Sequence, residues 1–71
     1  MANSVYRVIE VIGVSGQSWE DAARSAIETA SASLRELRVA EVTKLDLTMK
    51  DGKVEHYRAR LNLSFKYEPE G

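Results

Sequence analysis

The residues able to do chemistry are few and scattered. The chain has a single histidine, His56, and no cysteine. One copy therefore cannot build a zinc site, and disulfides are excluded. His56 could serve as a general base only beside a matched serine or cysteine and an orienting carboxylate. No such set is legible, and on the polar parity of a strand His56 reads as a surface residue. Arg58, Arg60 and Lys66 form a basic row on that same parity. The row could hold a phosphate, or it could pair across a hairpin with Glu41 and Asp46 around Lys44. Ser15-Gly16 and Ser18 lie before a helix start and could cradle an anion, although a capped turn is the plainer reading. Trp19 could stack on a planar ligand, but its spacing to Ala23 and Ala26 favours packing. The acidic residues are dispersed and follow no calcium-loop pattern. Ca²⁺ takes six to eight oxygen ligands, so any calcium site would draw on several strands or subunits. There are no phosphate-loop glycines and no catalytic constellation.

Whatever positions these residues must be small. Tyr6 to Ile12 is β-branched and aromatic, which predicts a first strand from near Ser4 or Val5 to Gly13. Gly13 to Gln17 reads as a loop. Ser18 follows as an N-cap, with Glu20 and Asp21 placing negative charge in the first turn. Trp19, Ala22, Ala23, Ala26, Ile27, Ala30, Leu34 and Leu37 then recur every three or four residues, predicting an amphipathic helix from Trp19 to Leu34 or Glu36. Val39 to Lys50 predicts a second strand whose broken alternation means either a bulge near Glu41 to Thr43 or two faces partly buried by different neighbours. Asp51-Gly52 is a two-residue turn of the type that accepts positive φ. From Lys53 to Tyr67 the pattern alternates cleanly, with Tyr57, Ala59, Leu61, Leu63, Phe65 and Tyr67 on the face expected to cover the helix. Pro69 and Gly71 fall in a short tail.

The hairpin makes the second and third strands antiparallel neighbours, and a helical crossover lets the first run parallel to the second. The expected fold is α+β: a β-α-β-β subunit whose three-stranded antiparallel sheet, in order 2-3-1, packs on one helix. Its buried helical stripe is mostly alanine and supplies little core volume. A strand of a dozen residues spans about 40 Å, more than one modest helix covers. Both features ask for self-association, a common support for a chain of 71 residues.

Composition narrows the partners. Ten Lys and Arg against eleven Asp and Glu leave a net charge of -1, without the basic excess usual in a nucleic-acid binder. No apolar run approaches the roughly 18 residues of a membrane span, and no signal segment is evident. A soluble, cytoplasmic protein is expected, with 44% hydrophobic residues arguing against disorder.

Taken together, Tyr6 to Ser15, the helix, Leu37-Arg38-Val39-Ala40-Glu41-Val42, the Asp51-Gly52 hairpin and Leu63-Ser64-Phe65-Lys66 resemble a dodecin over nearly the whole chain. The resemblance implies one dodecin-like domain over residues 1–71, assembled into a hollow homododecamer that binds or stores a ligand without turnover. Typical dodecins bind riboflavin or its phosphate, FMN, between subunits, through a tryptophan that stacks on the flavin and a glutamine at its polar edge. Those positions are occupied here by Val39 and Arg58. Valine has no π-face to stack, and a guanidinium lacks an amide's paired donor and acceptor. The sequence is more similar to the tryptophan-less branch called calcium dodecin, which implies divalent-cation sites. Glu10, Glu41 and Asp46 are the candidate ligands. A flavin carrier and a purely structural shell are the alternatives.

Overall fold

A computed structural model describes residues 3–67, so the tail expected at Pro69 and Gly71 lies outside the described residues. Strand β1 (Tyr6–Ser15), helix α1 (Trp19–Ser31), strand β2 (Leu37–Lys50) and strand β3 (Lys53–Lys66) follow one another. The sheet has the order β1-β3-β2 with both pairings antiparallel. This is the β-α-β-β arrangement expected from the sequence, with the third strand central. The described residues are elongated, measuring 55 × 20 × 15 Å.

Local chemistry accounts for the elements and for where their ends depart from expectation. β1 does not stop at Gly13: Gly13, Val14 and Ser15 continue the ladder opposite Ala59, Arg58 and Tyr57. The glycine is there for close approach to the helix. A Cβ at Gly13 would fall 2.0 Å from the Ala22 carbonyl oxygen and 3.0 Å from the Ala26 Cβ. At the other end, α1 stops at Ser31, short of Leu34. The amides of Ser33 and Leu34 both turn back to the Ala30 carbonyl, and Glu36 takes a left-handed φ of 59°. That reversal delivers Leu37 to the core as the first residue of β2, two residues earlier than predicted.

The hairpin has positive φ at Asp51 (52°) and Gly52 (76°), the pairing of signs that suits a tight two-residue turn. The expected bulge lies between Val42 and Lys44. It places Val42 opposite Leu61 and Leu45 opposite Ala59, so both apolar residues share the helix side despite their broken alternation. Further register shifts occur between Leu37 and Val39 and between Thr48 and Met49.

Ala22, Ala59, Leu61 and Leu63 are fully buried, with Ile9, Val11, Ala23, Ala26, Ile27, Ala30 and Leu37 packed against them. The core thus lies between α1, β1 and the middle of β3. Tyr67, placed by its parity on the helix-covering face, is instead largely exposed because α1 has ended. Thirteen residues make a helix of about 20 Å, whereas fourteen residues of strand run about 46 Å. α1 covers β1 and β3 and reaches β2 only at its margin, as at the Trp19 bond to the Asp46 carbonyl, so Val42 and Leu45 on the helix side of β2 stay about half exposed.

Candidate functional site

The start of α1, one of the places where a ligand could sit, is filled by the chain's own groups. The Ser15 hydroxyl accepts from the Gln17 amide at 2.9 Å and donates to Asp21 Oδ2 at 2.8 Å. Ser18 Oγ accepts the Asp21 amide at 3.0 Å, the N-cap bond the sequence predicts. Asp21 is also paired with Arg24. These hydrogen bonds, the one from Ser15 first, hold the Asp21 carboxyl below its ordinary range. Trp19 is likewise committed to packing. Its ring meets Tyr57 edge-on at 5.4 Å and its Nε1–H donates to the Asp46 carbonyl at 3.0 Å.

The face of the sheet turned away from α1 carries the remaining candidates. Period-two alternation sends Arg58, Arg60, Asn62 and Ser64 to that face, since Ala59, Leu61 and Leu63 point into the core. Their cross-strand partners share it. Reading across β1, β3 and β2, the rows are Val8, Ser64, Val39; then Glu10, Asn62, Glu41; then Ile12, Arg60, Lys44; then Val14, Arg58, Asp46. Two of the three acidic candidates, Glu10 and Glu41, therefore flank the Asn62 carboxamide in one row. Neighbouring strands lie about 4.8 Å apart, which puts their backbones about 10 Å from each other. Two carboxylates and an amide oxygen are hard ligands of the kind calcium takes, but fewer than its six to eight. Among the described residues there is no group of three or more His, Cys, Asp or Glu able to hold a metal. Asn62 went unrecognised in the sequence because its place depends on the register between β1 and β3, which a helical crossover leaves unspecified.

Asp46 stands two rows away and is already partnered. Arg58 Nε and Nη2 donate to its two carboxylate oxygens at 2.7 and 2.8 Å. This is the cross-hairpin pairing that the basic row suggested, in bidentate geometry. It holds Asp46 below the usual carboxylate range, first through the hydrogen bond and then through the charges of Arg58, Arg60 and Lys44. A carboxyl whose folded pKa is lowered stabilises the fold at neutral pH and loses that contribution as pH falls through the folded value. Stability should therefore be flat from pH 7 to about 5 and decline below about 4, the ordinary aspartate range. In urea titrations Asp46→Asn should make that decline shallower; an unchanged acid profile would deny the pair its role.

Val39 and Arg58 share the outer face but not a neighbourhood. Val39 lies beside Ser64, six residues along β3 from Arg58, or about 20 Å. One planar ligand cannot reach both within a single copy. His56 Nδ1 lies 3.4 Å from Thr48 Oγ1 and 4.0 Å from Glu55, a part-buried polar contact with no carboxylate and nucleophile arranged as a catalytic set.

Comparison with known proteins identifies the fold. Residues 5–68 match the family described as Dodecin. The chain belongs to the dodecin family. It is accordingly a small, non-enzymatic protein of binding or storage type. Among individual dodecins, it is 42% identical over 66 residues to the calcium dodecin of Mycobacterium tuberculosis, covering 93% of each chain. The structure of the Streptomyces coelicolor dodecin superposes with a TM-score of 0.92 at 40% identity, over 99% of this chain and 100% of that one. A crystal structure of the M. tuberculosis calcium dodecin, described as a calcium-chelating antigen with a novel calcium-binding site, gives a TM-score of 0.82 at 43% identity over 96% and 97% of the two chains. No helix among the described residues of this dodecin is long and apolar enough to cross a membrane.

Proposed function

We propose that this dodecin forms one unit over residues 1–71, that twelve copies assemble into a shell, and that the shell binds and stores calcium. The observation that carries the reading is the Glu10, Asn62, Glu41 row on the outer face, in a chain 42% identical to a calcium dodecin. Each copy contributes two carboxylates and an amide oxygen, and a neighbouring copy and water complete the shell of oxygens. Asp46 is the third candidate, and it can join only by giving up the bidentate bond from Arg58. The proposed setting is the cytoplasm, since a chain without cysteine needs no oxidising compartment to fold.

Calorimetric titration of chelator-treated protein with calcium chloride tests this. The expected result is saturable binding at a fixed stoichiometry per subunit. Replacing Glu10→Gln and Glu41→Gln together should weaken binding at least about tenfold, or about 1.4 kcal/mol. Asp46→Asn should leave affinity within about threefold, because the carboxylate it removes already belongs to Arg58. Absence of saturable heat at millimolar calcium, or a double variant that binds like the parent, would sink the assignment.

A flavin is the weaker cargo on physical grounds. At the position of the stacking tryptophan there is a small aliphatic side chain, and the residue at the glutamine position is pinned by Asp46. Exchanging that ion pair for flavin contacts would first require breaking it.

A further inference from the structure

Two bands of opposite charge lie side by side on the sheet face turned away from α1. The Glu10, Asn62, Glu41 row carries two carboxylates, and the next row, Ile12, Arg60, Lys44, carries two cations. Asn62 and Arg60 are two residues apart on β3, so the rows are about 7 Å from each other. Elsewhere in the subunit opposite charges pair directly, as Arg24 does with Asp21 and Glu28, Arg38 with Glu36, and Arg58 with Asp46. Here they do not. Among the described residues, none of Glu10, Glu41, Lys44 and Arg60 makes an ion pair. Lys44 is exposed and Arg60 half-buried, and it is the Arg60 carbonyl, not its guanidinium, that meets the Thr43 hydroxyl at 3.2 Å.

Calcium changes the charge balance of this face. By themselves the two rows sum to zero. A divalent ion neutralises the carboxylates and leaves two positive charges beside a bound cation, which repels them. Asp46, in the row beyond, feels both Arg60 and Lys44, but its two oxygens already accept from Arg58. A tetrahedral oxyanion fits the gap. A calcium–oxygen bond of about 2.4 Å at one corner and a charge-assisted hydrogen bond of about 2.8 Å at another carry such an anion across the row spacing. Guanidinium and ammonium groups are its usual donors. We infer, on the strength of the calcium site proposed above, that Arg60 and Lys44 hold a doubly charged tetrahedral oxyanion, of the sulfate or phosphate type, which replaces a water on the bound calcium. Cation and anion then load together, and each raises the affinity for the other by the same factor.

The test titrates the chelator-treated full chain with calcium chloride, once in about 10 mM sodium sulfate and once in sodium chloride of equal ionic strength, correcting for calcium–sulfate pairing in solution. Calcium should bind at least about fivefold more tightly in sulfate. Arg60→Gln combined with Lys44→Gln should still bind calcium, with affinities in the two salts within about twofold. Lys44→Gln alone, at an exposed position, should also lower the ratio, and it guards against a double variant that folds poorly. Equal parental affinities in the two salts, or a sulfate effect that survives in the variants, would overturn the inference and leave the calcium site standing. Absence of saturable calcium binding in either salt would overturn both. Glycerol 2-phosphate in place of sulfate then identifies the source of the anion. An enhancement like that of sulfate extends the site to phosphate esters, and an enhancement by sulfate alone confines it to free inorganic anions; either supports the site.

Discussion

Gly13→Ala is expected to cost about 3 kcal/mol or more, lowering the melting temperature by on the order of 10–20 °C. The reason is steric. The added Cβ would sit 2.0 Å from the Ala22 carbonyl oxygen and 2.8 Å from its carbonyl carbon. Those are backbone atoms of the first turn of α1 and cannot swing aside as a side-chain tip would. Either the helix lifts from the sheet, opening voids around the fully buried Ala22 and Leu61, or β1 leaves its register with Ala59. Both alternatives disrupt the part of the subunit that is well packed. Gly16→Ala is the matched control, because its Cβ would meet nothing within 4 Å. Thermal denaturation should separate the two variants clearly, and a Gly13→Ala melting point within a few degrees of the parent would show that the helix can ride over the added methyl.

Gly13 also illustrates what the sequence could and could not disclose. As a residue type it reads as a strand terminator, and the strand was expected to end there. Its actual job, admitting a helix backbone to within contact distance of the sheet, is a tertiary fact with no local signature. By contrast Asp51-Gly52, the alternation from Lys53 onward and the Ser18 cap specify local geometry, and the hairpin, the strand and the cap formed where the residues called for them. The bulge near Thr43 was legible as a break in alternation, because any strand with one buried side must explain a shift of parity. The helix end was harder to read. Leu34 and Leu37 continue the apolar spacing past Ser31, but they serve the reversal and the start of β2.

The candidate site divides along the same line. A pairing of the basic row with Asp46 across the hairpin could be anticipated, but its partner could not be fixed from the turn alone: the register shift between Thr48 and Met49 brings Asp46 opposite Arg58, where an unbroken ladder would have given Tyr57. The gathering of Glu10 and Glu41 around Asn62 could not be anticipated, because β1 meets β3 only through a helical crossover. Residue types pointed to carboxylates, and topology decided which of them meet. The 20 Å between Val39 and Arg58 adds that a ligand touching both positions would have to be shared between copies.

Leu61→Ala is expected to be the most costly truncation of an apolar side chain, at about 3 kcal/mol within the 2–5 kcal/mol range for buried leucine. Leu61 is fully buried on the central strand, opposite Val11 on one side and Val42 on the other. Its loss leaves a cavity that neighbouring alanines cannot fill by changing rotamer. Leu45→Ala is the informative comparison. In an isolated subunit it removes a side chain that is 52% exposed and should cost well under half as much. If chemical denaturation shows Leu45→Ala approaching the cost of Leu61→Ala, the additional burial must come from outside the subunit, and that excess should fade as the protein is diluted toward dissociation. A Leu61→Ala cost below about 1 kcal/mol would contradict the core described above. The contrast follows from where α1 ends its coverage: the same sheet face is interior over β3 and about half exposed over β2.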